Sequence, residues 1–162
     1  MVEVLSCVSH SIKLLVTRRG SNEMQLEHIN LVVSDINAEL AFYRAAFPHW
    51  RVRGSGESEW SGKARKWLHF GDDYQYLTFN DNGIGENRDL AGHQVGLAHF
   101  AFVTSDLAGL EQRLQDAGFT KDKEGAEDLY RTNVYYIDPA GYEVEFVEYH
   151  SDLPGERNRY AA

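Results

Sequence analysis

The chain has 162 residues, 43 % of them hydrophobic and 12 % aromatic, which suits one packed domain or one domain made of two similar halves. Its 25 acidic residues outnumber 16 basic ones for a formal net charge of −9, which argues against nucleic acid or an anionic membrane surface as partner. A single cysteine, Cys7, rules out an internal disulfide framework and suits the cytoplasm, and no apolar run approaches the roughly 20 residues that cross a bilayer.

Residues 1–24 read as an N-terminal extension. Ser9, His10, Ser11 and Lys13 interrupt its apolar stretch and its basic residues come after that stretch, so it makes a poor signal peptide. An appended segment and an extra strand or helix packed on the outside both fit it. The patterned chain starts with "LEHINLVV". Strand alternation there puts Ile29, Leu31 and Val33 on one face and His28, Asn30 and Val32 on the other. Ser34-Asp35 supplies a helix N-cap, and Ile36, Leu40, Tyr43 and Phe47 form the apolar stripe of the helix that follows. Strand-type alternation returns in "HWRVRG", "KWLHFG" and "YQYLTF", completing a β-α-β-β-β module over 25–82. "GSG" at 54–56 reads as a lone glycine loop, without the strand–helix context of a nucleotide site. Residues 83–95, rich in Gly, Asn and charge, are the linker.

The second module, 96–150, repeats the first at an offset of 71: Leu97 matches Leu26, His99 matches His28, and Ser105-Asp106 matches Ser34-Asp35. Ala98, Phe100 and Phe102 oppose His99, Ala101 and Val103, and Leu107, Leu110, Leu114 and Ala117 stripe the second helix. A weak strand "FTKDKE" precedes "NVYYI". The "DPAG" turn at 138–141 then leads into "YEVEFVEY", where Val144 and Phe146 oppose Glu143, Glu145 and Val147. Residues 151–162 form a tail. The predicted fold is α+β, with two βαβββ modules whose curved mixed sheets enclose a cavity onto which His28, His99 and a glutamate converge.

On these residues the chain resembles the vicinal oxygen chelate superfamily. That group includes glyoxalase I, extradiol dioxygenases, fosfomycin-resistance thiol transferases and bleomycin-binding proteins. The resemblance implies that His28 and His99 bind a divalent metal together with Glu145, seven residues after Asp138 of the turn. Iron, manganese, zinc and nickel all accept two imidazoles and a carboxylate, and the open positions suit a substrate that chelates through adjacent oxygens. Tyr135, ten residues before Glu145, matches a tyrosine near the substrate in extradiol dioxygenases and fosfomycin thiol transferases. Its phenol serves either to hydrogen-bond a substrate oxygen or to pack in the strand. His69 reads as an acid–base group or, the favoured reading, a rim histidine. Glu143 reads as a solvated strand glutamate, and His10, His49, His93 and His150 as solvated.

Glyoxalase I uses a fourth ligand on the last strand of its first module, where "YQYLTF" has no Asp, Glu or His. Fosfomycin thiol transferases carry a threonine where this chain has Asn30. Extradiol dioxygenases match at His28, His99, Glu145 and Tyr135. The expected function is thus a divalent-metal-dependent enzyme acting on a small molecule, dioxygenase-like or transferase/lyase-like. The alternative is a metal-free drug-binding protein of the bleomycin-resistance type, which the net charge of −9 and Trp50, Trp60 and Trp67 would serve. A homodimer is expected, with the modules either paired within one chain or exchanged between subunits.

Overall fold

Helix starts and strand parity follow from the local chemistry just described. In the computed structural model, which describes residues 24–160, Asp35 accepts hydrogen bonds from the N–H groups of Asn37 and Ala38 and caps α1 (Ile36–Ala46). Asp106 does the same for α2 (Leu107–Asp116) through the N–H of Gly109. The expected N-terminal extension lies, apart from Met24, outside the described residues. Among the described residues, no helix is long and apolar enough to cross a membrane.

The strands are β1 (His28–Val32), β2 (Arg51–Trp60), β3 (Lys63–Gly71), β4 (Tyr76–Asn80), β5 (His99–Thr104), β6 (Lys123–Glu124), β7 (Arg131–Ile137) and β8 (Glu143–Tyr149). They form two four-stranded mixed sheets of one topology, β1-β4-β3-β2 and β5-β8-β7-β6. In each, the first strand of the module runs parallel to the last, and the remaining pairs are antiparallel. A short helix, α3 (Pro154–Arg157), follows.

The β2–β3 hairpin is longer than its hydrophobic pattern suggested. It turns at Ser61-Gly62, both with positive φ, the geometry that matches the twist of a two-residue hairpin. The "GSG" glycines consequently lie inside β2 and are not a loop. Gly56 pairs with Trp67, whose indole would stand 2.9 Å from any Cβ added there. Lack of a side chain lets the indole lie across the strand.

The helix-facing side chains of both sheets, among them Leu31, Phe70, Leu77, Phe79, Val134, Val144 and Phe146, make one core with the helices. That core runs between the modules. Phe47 at the end of α1 meets Phe102 of β5, with ring centroids 4.7 Å apart, and Phe42 meets Phe119 at 5.0 Å. The buried face of α1 is wider than its predicted stripe and includes Glu39, Phe42 and Ala46. The helix packs on its own sheet and on α2, where the guanidinium of Arg113 donates to the carbonyl of Ala45.

The sheets do not close around a cavity. β1 and β5 are end strands, and a cleft of about 660 Å³ lies between them over Phe47, Trp50, Phe102 and Phe146. Apolar packing of the helix-facing sides holds the modules side by side and leaves their polar faces apart.

Candidate functional site

Parity on the second sheet turns His99, Glu143, Glu145, Asn133 and Tyr135 away from the helices, and the register brings them together. Tyr135 pairs with Glu145, and His99 with Glu143. His99 Nε2 is 3.3 Å from Glu145 Oε2, and its Nδ1 is 3.6 Å from Glu143 Oε1. Asn133 donates one amide to the other oxygen of Glu145 at 2.7 Å and to the Tyr135 hydroxyl at 3.1 Å. The Tyr135 ring meets His99 edge-on, and burial, followed by the charge of Glu145, pushes its hydroxyl pKa up. The phenol therefore keeps its proton at neutral pH.

Glu143 is not the solvated strand residue its sequence suggested. Its side chain is 11 % exposed and ion-paired with Lys123 of β6. The hydrogen bond to Glu143 holds the lysine pKa above its usual value. Sequence parity gives the face on which Glu143 lies, whereas the neighbouring strands supply the partners that hold it there.

The equivalent face of the first sheet carries a row of rings. His28 stacks on Tyr76 at 4.7 Å, Tyr76 lies 4.7 Å from His69, and His69 lies 4.9 Å from Trp67. Burial first, then Arg53 and His28, lowers the pKa of His69. Beneath the row, fully buried Asn80 donates to Asn30 and to the Leu31 carbonyl, and accepts from Arg65. Asn80 and Asn133 belong to no motif of the sequence. Parity alone would have put Asn133 beside Tyr135.

The structure thus gathers His99, Glu145 and Tyr135 on one sheet, and His28 and His69 on the other. Among the described residues, no group of three His, Cys, Asp or Glu side chains is arranged to hold a metal ion. The donor chemistry nevertheless fits a divalent cation. Each histidine turns Nδ1 toward a carboxylate: Glu27 at 3.0 Å for His28 and Glu143 for His99. For His28, the carboxylate hydrogen-bonded at Nδ1 favours the tautomer whose Nε2 lone pair is available to a metal, whereas His99 has a carboxylate facing each nitrogen.

The cleft between the end strands is a separate feature. His28 and Tyr76 border one side of it and Ala101–Thr104 the other, but His99 and Glu145 are not part of it. The three tryptophans share no groove: Trp50 stacks in the core on Phe47, Trp60 lies under Arg65, and Trp67 belongs to the ring row. His150 is exposed, as expected, and is hydrogen-bonded with Thr132 at 2.8 Å.

Two equivalent βαβββ units, each showing a first-strand histidine on the face away from its helix, define a paired-module protein. The family profile of the Glyoxalase/Bleomycin resistance protein/Dioxygenase superfamily matches residues 25–146. The chain belongs to that superfamily, the vicinal oxygen chelate group. No curated protein sequence gives a match.

Solved structures share the fold at low identity. A glyoxylase/bleomycin resistance protein/dioxygenase domain from Frankia sp. EAN1pec is 18 % identical, with a TM-score of 0.65 over 85 % of this chain and 99 % of that one. A lactoylglutathione lyase from Agrobacterium tumefaciens is 23 % identical, with a TM-score of 0.53 over 78 % and 94 %. A point mutant of the fosfomycin resistance protein FosX from Listeria monocytogenes, complexed with Mn(II) and a dihydroxypropylphosphonic acid, is 18 % identical, with a TM-score of 0.58 over 83 % and 98 %.

Proposed function

We propose that this protein is a divalent-metal-dependent enzyme of the cytoplasm. In this reading it acts on a small molecule that binds through adjacent oxygens, by lyase- or transferase-like chemistry or as a dioxygenase. The observation that carries the reading is the His99–Glu145 pair, 3.3 Å apart on an open sheet face beside Tyr135, with His28 oriented the same way on the sister module. An iron, manganese, zinc or nickel ion held by His28, His99 and Glu145 would supply Lewis-acid stabilisation of negative charge on a substrate oxygen. The Mn(II) in FosX is in keeping with such a cofactor.

The protein's own residues then have distinct tasks. Asn133 fixes one oxygen of Glu145 and leaves the other toward His99. Tyr135, a protonated phenol beside that pair, donates a hydrogen bond to a substrate oxygen. His69 stands in the ring row with His28, where it accepts or returns a proton. Glu27 holds the His28 ring by a hydrogen bond at Nδ1, and Glu143 faces Nδ1 of His99 at 3.6 Å.

Because His28 and the His99–Glu145 pair occupy different sheets of one chain, the ligand set is completed in a homodimer with exchanged modules. Each site takes His28 from one protomer and the other two ligands from its partner. The unpaired outer edges of β1 and β5 among the described residues support this arrangement.

The test is metal content after loading with Mn, Fe, Ni or Zn, with His28→Ala and Glu145→Ala beside the wild type. Stoichiometric metal in the wild type and its loss in both variants is expected. A wild type that retains none would sink the enzyme reading in favour of metal-free drug binding. Oxygen uptake with catechols then separates dioxygenase from lyase or transferase chemistry. Glu143→Gln, which removes the charge facing His99, is expected to lower metal affinity about 10- to 100-fold, read by calorimetric titration with zinc. Unchanged affinity would remove Glu143 from the site.

A further inference from the structure

The chain has a net charge of −9, yet the strand positions on one sheet face carry no acidic residue. On the side of the first sheet that bears His28, the alternating positions of β1, β4, β3 and β2 hold histidine, asparagine, valine, aromatic, threonine, basic and glycine or serine residues, with no aspartate or glutamate. Glu57 and Glu59 of β2 alternate onto the opposite side. The matching face of the second sheet carries Glu143 and Glu145. The two modules have the same topology, but the second face mixes these carboxylates with Lys123 and Arg131 while the first carries basic groups without acidic ones in its strands.

Arg53 reaches this face by a local irregularity. Val52 pairs with Phe70 and Gly54 with His69, so Arg53 is the extra residue of a β-bulge, a device that re-aims a side chain. Its guanidinium lies over the Tyr76 ring, 4.4 Å from the centroid, beside the same ring on which His28 stacks. Arg51 is paired with Asp73, Lys66 with Glu57 and Arg131 with Asp128. Among the described residues, Arg53 has neither a carboxylate within 4.0 Å nor a hydrogen-bond partner. Glu27 is engaged by His28, and Asp72, close enough for its charge to interact with Arg53, accepts from the N–H groups of Tyr74 and Gln75. An arginine fork held against an aromatic ring with its donors unspent matches a planar or tetrahedral oxyanion, to which it can bond through two N–H groups.

We infer that Arg53 binds an oxyanion of the substrate, so that the substrate is an anion carrying a carboxylate or phosphonate besides the oxygens it places near His28. The inference rests on the site reading above. It names what that site selects: acidic small molecules over neutral ones of the same shape.

The experiment is an NMR titration of the protein as purified and after loading with zinc, using acetate and methylphosphonate as probes and acetamide as the neutral control. The Arg53 Nε–H and Trp67 indole N–H signals are followed. Saturable shifts with at least one anion and none with acetamide are expected. The stronger of the two anions distinguishes a carboxylate from a phosphonate site. Arg53→Met keeps an apolar stem on Tyr76 and should weaken binding about tenfold or more. Arg159→Met, with the same charge change on the tail, should bind as wild type, and Arg53→Lys should fall between. Absence of anion shifts in the wild type, equal shifts with acetamide, or unaltered binding by Arg53→Met would each overturn the assignment. So would dissociation of Arg53→Met in sedimentation, which would make Arg53 a subunit contact. Anion binding without zinc uptake would retain Arg53 and refute the metal reading; zinc uptake without anion dependence would do the reverse.

Discussion

Mixed dimers assembled from His28→Ala and Glu145→Ala protomers are expected to hold one divalent ion per dimer, whereas dimers of either variant alone hold none. The arithmetic follows from the proposed exchange of modules. In a mixed dimer, the intact His28 belongs to the Glu145→Ala protomer, and the intact His99 and Glu145 belong to the other. One site recovers all three ligands and the second loses two. If each chain closes its own site, every site in the mixed dimer lacks a ligand and nothing is recovered. Co-expression with two affinity tags, tandem purification and metal analysis decide the matter. Mixed dimers no better than their parents would refute the exchange.

The second large effect lies away from the site. Glu39 is a buried carboxyl on α1, 1 % exposed, with one oxygen lacking a hydrogen-bond partner. It faces Asp138 of the "DPAG" turn, itself buried and accepting from the Tyr43 hydroxyl at 2.8 Å and the N–H groups of Ala140 and Tyr142. Burial first, then the charge of Asp138 and the hydrogen bond with it, pushes the Glu39 pKa up to about 9, with Asp35 adding a smaller contribution. Burial raises Asp138 as well, against the pull of its hydrogen bonds. Of the two, Glu39 keeps the proton.

The sign of the stability effect follows. Between the ordinary carboxyl value near 4.5 and about 9, the folded protein retains a proton that the unfolded chain has released. Stability therefore falls as pH rises through that window, at up to about 1 kcal/mol per pH unit from this group. Glu39→Gln removes the titration and leaves an amide able to donate to Asp138. The variant is expected to show a flatter profile in urea unfolding at pH 5, 7 and 9, and to exceed the wild type by about 1–3 kcal/mol at pH 9. A wild type with no decline toward pH 9, or a Gln variant weaker there, would contradict the shared proton.

What was legible in the sequence was whatever depends on period and on local caps. The offset repeat, Asp35 and Asp106, and the alternation of His28 and His99 with buried neighbours all survive in the structure. What was hidden depends on contacts between elements. Glu39 interrupts no local rule on a helix whose other polar residues face water, and only the docking of the second module buries it. Glu143 has the same face as Glu145, but Lys123 comes from a strand of two residues that periodicity barely registers. Gly54 and Gly56 look like a loop until Trp67, eleven residues beyond Gly56, is seen lying over them. The separation of the polar faces is also a tertiary matter, because either packing of the modules would use the same strands.

The sequence distances of the contacts imply an order of events in folding. Within each module, the pair that closes the sheet joins segments such as His28 and Tyr76. The bonds that join the modules reach further: Arg113 to Ala45 across 68 residues, Tyr43 to Asp138 across 95 and Tyr142 to Val32 across 110. Longer loops cost more entropy to close and are repaid late. Each sheet can thus form while Glu39 and Asp138 are still hydrated and titrating normally, and their shared proton is acquired at docking. Interactions made after the transition state act on the unfolding rate and leave the folding rate nearly unchanged. The pH dependence of this protein's stability should therefore reside in how fast it comes apart.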